Sequence, residues 1–145
     1  MKKILTAFSL ILLLLACSTL PYIPPSEGDI ADVRFEASTY NNSPVNFRVA
    51  EKHQEYLQLK HLKKSNNWKH LTTISAANSI SMYAYSSDGL ESCYARVLSF
   101  QFEKNNTYVV RYNFNGKKCW ISIYKDIEGN LVPEEVNKVR IKRKN

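Results

Sequence analysis

Apolar residues recur at every second position of this chain, in one short run after another. Ala31, Val33, Phe35 and Ala37 alternate with Asp32, Arg34 and Glu36. A period of two puts one set of side chains on each face of an extended strand, and no helix has it. After the turn residues Asn41-Asn42-Ser43-Pro44, the pattern returns in Val45, Phe47 and Val49. Further strands are read over Trp68 to Ile74, Ile80 to Tyr85, Cys93 to Phe102, Thr107 to Phe114 and Lys118 to Lys125. The turns between them are Ser86-Ser87-Asp88-Gly89, Lys104-Asn105-Asn106 and Asn115-Gly116. Asn-Gly between alternating runs is the strongest short-range hairpin signal. Here it pairs Tyr108, Val110, Tyr112 and Phe114 with the strand of Cys119, Ile121 and Ile123. Glu51 to Lys64 fits two structures. Early Glu51 and Glu55 and late Lys63 and Lys64 suit a short helix and its dipole. Tyr56-Leu57-Gln58-Leu59 suits a strand, the reading its surroundings favour. Seven or eight short strands at roughly ten-residue spacing predict an all-β fold, a small antiparallel β-sandwich, with a small β-barrel as the alternative.

The N-terminus carries a different signal. Lys2 and Lys3 precede an apolar run from Ile4 to Leu15. That run is shorter than the roughly 20 residues a bilayer span needs and has the length of a signal-peptide core. It ends in Leu14-Leu15-Ala16-Cys17. This stretch resembles the lipobox of bacterial lipoproteins, in which the peptidase cuts before a cysteine whose sulfur carries a diacylglyceryl group. The resemblance implies a signal peptide over 1–16 and lipidation at Cys17. Ser18 rather than aspartate after the cysteine implies sorting to the outer membrane of a double-membraned cell. Each buried CH₂ adds about 0.8 kcal/mol, so two or more acyl chains hold a protein stably where one does not.

Cysteine count and charge distribution bear on the same point. Three cysteines are an odd number for an exported chain. With Cys17 lipidated, Cys93 and Cys119 remain as a pair, and an oxidising compartment predicts a disulfide between them. On the chain-entropy model that bridge contributes roughly 3.5 kcal/mol. The formal net charge of +7 is not spread over the protein, for Ser18 to Asn137 holds 13 basic and 13 acidic side chains. The surplus sits in Lys2, Lys3 and the C-terminal Lys138, Arg140, Lys142, Arg143 and Lys144. A basic tail on a neutral body does not argue for nucleic acid. The organisation expected is a lipidated cysteine and proline-rich tether over 17–28, a β-sandwich domain over 29–135 and a basic tail over 136–145. The tether, with Pro21, Pro24 and Pro25, offers little to pack and would reach roughly 30 Å at about 3.1 Å per residue.

The second half, roughly Ile74 to Tyr124, resembles a group of small proteobacterial lipoproteins. The residues that carry the likeness are Ala77-Asn78, Cys93, Phe100, Phe102, Tyr108 and Cys119, with Asn78 where glycine is usual. The group is largely uncharacterised, so the resemblance implies a β-sandwich and a location, without an activity.

No motif names a reaction. His53, His61 and His70 lie eight and nine residues apart, which matches no short-spaced metal pair, and no cysteines or carboxylates complete a ligand set. No serine sits in a G-x-S-x-G elbow, and no glycine loop is built for phosphate. Glu134-Glu135 are adjacent, whereas a glycosidase pair must face across a bond. Asn41-Asn42-Ser43 and Asn105-Asn106-Thr107 match glycosylation acceptors but serve as turns beside a bacterial lipobox. No catalytic residue, metal ligand, cofactor or small-molecule substrate is assigned.

Two surfaces remain. The first is aromatic: Tyr83, Tyr85, Tyr94, Trp120 and Tyr124, with Asp88 and Glu91 in the nearby turn, as a candidate partner surface. The second is the tail, where Val139 and Ile141 alternate with Lys138, Arg140 and Lys142. That pattern fits an edge strand with a basic outer face, drawn with Arg143 and Lys144 to anionic lipid at about 1 kcal/mol per charge, and equally a solvated, frayed terminus. The expected function is a non-enzymatic lipoprotein of the outer membrane that presents the sandwich to an envelope protein or peptidoglycan. The alternative is a lipid-anchored inhibitor of lysozyme or another lytic enzyme, for which Ser86-Ser87-Asp88-Gly89-Leu90-Glu91 is the candidate loop. An envelope enzyme is a third class, and it would need a cleft with converging polar groups.

Overall fold

The computed structural model describes residues 22–39, 43–51, 57–62, 68–87, 92–136 and 138–140, without the side chains of 57–62, 68 and 138–140. The described residues form ten strands and no helix: β1 Ile30–Thr39, β2 Val45–Glu51, β3 Leu57–Leu62, β4 Trp68–Ser75, β5 Ile80–Ser87, β6 Ser92–Phe100, β7 Thr107–Phe114, β8 Cys119–Ile127, β9 Asn130–Pro133 and β10 Lys138–Arg140. The ambiguous stretch after Glu51 is thus strand over Leu57–Leu62. The strands make two five-stranded sheets, ordered β4-β1-β7-β8-β9 and β10-β6-β5-β2-β3. The sheets stay open at their edges, so the molecule is a sandwich and not a closed barrel. Pairing is antiparallel except between β1 and β7, which run parallel with Asp32 beside Thr107 and Thr39 beside Phe114.

The period-two pattern does what it demands. Ala31, Val33 and Phe35 of β1, Ile74 of β4, Tyr108, Val110 and Tyr112 of β7 and Ile121 and Ile123 of β8 are buried inward from the first sheet. Val45, Phe47 and Val49 of β2, Ile80, Met82 and Ala84 of β5 and Ala95 and Val97 of β6 meet them from the second. Phe35 and Phe47 touch across the gap at 5.0 Å between ring centroids, and Phe47 meets Tyr112 edge-on at 6.3 Å. Phe102, just past β6, packs against Phe100 and Tyr108 at 4.8 and 5.0 Å and closes one end of the core. Cys93 and Cys119 are joined, with 6.0 Å between their Cα atoms. Because β6 and β8 belong to different sheets, this disulfide staples the layers together.

Two turns carry the hairpins of the first sheet. Between β7 and β8, Asn115 N–H bonds the carbonyl of Lys118 at 3.1 Å, so Gly116 and Lys117 are the central pair. Gly116 takes φ 83° there, and the Asn115 side chain accepts from the amides of Lys117 and Lys118 at 3.1 and 2.8 Å. Between β8 and β9, Ile127 pairs with Asn130 across only Glu128 and Gly129, at φ 52° and 87°. Positive φ at both central residues is the requirement of a type I′ hairpin.

Residues 22–29 lie against the body rather than standing off it. Tyr22 packs against the core, and its hydroxyl donates to the Thr73 carbonyl at 2.7 Å. Thr73 Oγ1 donates to the Pro25 carbonyl at 2.6 Å, and Ala76 N–H to that of Asp29 at 2.7 Å. Asp29 also pairs with Lys104 at 2.7 Å. The described part of the tether is therefore a strap along β4. One aromatic ring suffices for this, because the exposed edge of β4 offers carbonyls that a tyrosine hydroxyl satisfies.

Candidate functional site

The outer face of the first sheet carries Trp120 and Tyr124, which point away from the core opposite Ile121 and Ile123, as alternation predicts. Register sets Ser122 beside Arg111 and Arg111 beside Glu36, with Tyr124, Val109 and Arg34 in the next row. Glu36 binds both arginines: Oε1 accepts from Arg34 Nε at 3.0 Å, and Oε2 from Arg111 Nε and Nη2 at 3.0 and 2.9 Å. The Arg111 guanidinium then lies over the Tyr124 ring, 5.2 Å from its centroid. One half-buried carboxylate thus holds both arginines and leaves the trio a net charge of +1, with Lys69 of β4 beside Glu36 in register.

The outer face of the second sheet is different. Arg48, Tyr83 and Arg96 stand in one cross-strand row, and Asn46, Tyr85 and Tyr94 in the next. Tyr85 and Tyr94 stack at 4.5 Å, 30° from parallel, and Tyr83 leans on Tyr94 at 5.7 Å. Burial first, then the neighbouring Tyr85, raises the pKa of Tyr94. Neither Arg48 nor Arg96 has a carboxylate partner among the described residues. Arg96 Nε is also buried with no hydrogen-bond acceptor among the described residues.

The residues read from sequence as one aromatic surface are therefore two. Tyr83, Tyr85 and Tyr94 lie on one face of the sandwich, and Trp120 and Tyr124 on the other. The cause is the disulfide: Cys93 and Cys119 turn inward toward each other, so their neighbours Tyr94 and Trp120 turn outward in opposite directions. Asp88, Glu91, Cys17, Lys142, Arg143 and Lys144 lie outside the described residues. Lys138 and Arg140 belong to β10, where the backbone sets them beside Val97 and Ala95. The tail does form an edge strand there. With β6 stapled to β8, β9 and β10 flank one side of the sandwich, and β4, with the Tyr22 strap, the opposite side. The basic tail thus starts away from the strap. Arg48, Arg96, Glu36 and Arg111 were missed in the sequence, because an isolated charge on a strand's polar phase gives no sign of its cross-strand partner.

The interior has its own polar centre. Ser86, fully buried, lies 2.7 Å from the Tyr112 hydroxyl, which donates to the Cys93 carbonyl at 3.2 Å. Burial pushes the Tyr112 phenol well above its ordinary pKa, and the Ser86 bond offsets part of that. Ser86 consequently belongs to the core and not to a protruding inhibitory loop, whose remaining residues from Asp88 onward lie outside the described residues. Among the described residues no group of three or more His, Cys, Asp or Glu side chains converges, and no helix is long and apolar enough to cross a membrane. Open depressions mark the surface of the described residues. One, of about 500 Å³, is lined by the strap and by His70 and Thr72; another, of about 650 Å³, by Ser99, Gln101, Glu134 and Glu135. No protein-family model matches the chain, and no curated protein matches it in sequence.

Proposed function

We propose that the chain is a lipoprotein of the outer membrane, acylated at Cys17, that presents its sandwich faces to an envelope partner and catalyses no reaction. The observation that carries this reading is the Cys93–Cys119 bridge. It accounts for two of three cysteines, fits an oxidising compartment, and leaves Cys17 alone at the end of an apolar run. The likeness to small proteobacterial lipoproteins supports the same address. The strap refines the geometry: with Tyr22 docked on β4, the chain from Cys17 to Pro21 can reach at most about 18 Å. The body would then ride close to its lipid.

Metabolic labelling of whole cells with an alkyne fatty acid tests the anchor. Label should appear on the full-length protein in the outer-membrane fraction and vanish in Cys17→Ala, with Cys93 and Cys119 still oxidised. An unlabelled protein, or free thiols at Cys93 and Cys119, would overturn it.

A further inference from the structure

The two outer faces use the same residue types to different ends. On the first, Glu36 pairs with both Arg34 and Arg111, and Arg111 covers Tyr124. On the second, Arg48 and Arg96 flank Tyr83 with no carboxylate among the described residues of that face. We infer that the outer face of the second sheet, centred on Arg48, Tyr83, Arg96, Tyr85 and Tyr94, docks an acidic protein surface. This rests on the partner-binding reading above and names the partner's chemistry.

The composition is that of an interface centre, where tyrosine and arginine supply most of the binding energy. Tyr94 is 38% exposed, yet its ring is already held by Tyr85 and Tyr83, so little side-chain freedom remains to be lost on binding. Arg48 and Arg96 supply planar donors that match carboxylates two at a time. Charge complementarity therefore selects an acidic partner. A saccharide or a nucleobase would instead need an open ring face. Tyr85 and Tyr94 turn their faces on each other at 4.5 Å, and two arginines fall short of what a polyphosphate backbone requires. Own-membrane lipid is disfavoured by placement, because the short leash leaves from the β4 side while this face looks outward from β6, β5 and β2.

Tyr94 and Trp120 form a matched pair for the test, exposed by 38% and 39% on opposite faces. A photo-crosslinking phenylalanine derivative is placed at either position of the full-length protein in living cells. Irradiation should give a discrete protein adduct from position 94 whose crosslinked peptide is rich in Asp and Glu. Arg48→Glu with Arg96→Glu should lower that adduct at least about tenfold, and Lys substitutions of the mapped carboxylates in the captured partner should restore it. Protease resistance equal to that of the wild-type protein shows that the variant has folded. An adduct from position 94 to glycan or lipid, or one indifferent to the charge reversals, would overturn the inference. An adduct from position 120 alone would overturn it while sparing the partner-binding reading, and silence at both positions would remove both.

Discussion

The first sheet ties Arg34, Glu36, Arg111 and Tyr124 into one set on its outer face, and the second gives Arg48 and Arg96, around a tyrosine stack, no carboxylate among the described residues. Both faces cover the same core, and both are held by the same disulfide. The difference shows that a charged residue on a strand's polar phase has no fixed meaning. Where a cross-strand neighbour of opposite sign exists, the charge stabilises the sheet; where none exists, it is left for something outside.

The bluntest way to break the comparison is to remove what the faces share. Replacing Cys93 and Cys119 together by alanine should lower unfolding free energy by about 3.5 kcal/mol on the chain-entropy model, measured by urea denaturation. The next test separates the faces. Glu36→Ala leaves Arg34 and Arg111 unpaired at a half-buried site, at an expected cost of about 1–2 kcal/mol after allowing for their partial exposure. If its midpoint matches wild type, the closed set contributes nothing and the faces are energetically alike.

Tyr112 probes the layer between them. Its phenol stays protonated in the folded state above the pH near 10 at which an unfolded tyrosine titrates. A raised folded pKa stabilises fully below the unfolded value and ceases to do so as pH climbs past it. Stability should therefore fall above about pH 10. Tyr112→Phe should lose about 1 kcal/mol at neutral pH and show a weaker alkaline decline, followed by circular dichroism along a pH series. On the second face, a double-mutant cycle between Tyr85→Ala and Tyr94→Ala should return a coupling of about 0.5–1.5 kcal/mol for the stacked rings. Arg48→Gln should change stability by less than about 0.5 kcal/mol. Equal costs for Arg48→Gln and Glu36→Ala would erase the distinction between an occupied face and a vacant one.

Much of this architecture is legible in the residues. Alternation alone locates the core-facing sets of β1, β2, β5, β7 and β8, and the cysteine count yields the bridge. What alternation cannot carry is partnership. It says which way Phe35 points, without saying that β1 lies between β4 and β7 or that it runs parallel to the latter. β9 escaped notice because its hairpin turns on Glu128-Gly129, with glutamate where asparagine is the usual signal, and because the strand is four residues ending in Pro133. The Asn115-Gly116 hairpin is present with its centre one residue later, on Gly116-Lys117. The Tyr22 strap left no pattern, since a single ring among prolines has no period. The division of the aromatics, by contrast, was there to find. Once Cys93 and Cys119 are taken to bridge two sheets, Tyr94 and Trp120 must face opposite ways.

The position of β1 has a consequence for how the molecule comes into being. Its two neighbours, Trp68–Ser75 and Thr107–Phe114, both arrive much later along the chain. A polypeptide delivered N-terminus first thus presents an alternating, half-greasy ribbon long before anything can zip onto it, and such distant pairings assemble slowly. Until Phe114 has emerged the ribbon is bare on one flank, and during that interval the nascent protein is most exposed to mispairing with its neighbours.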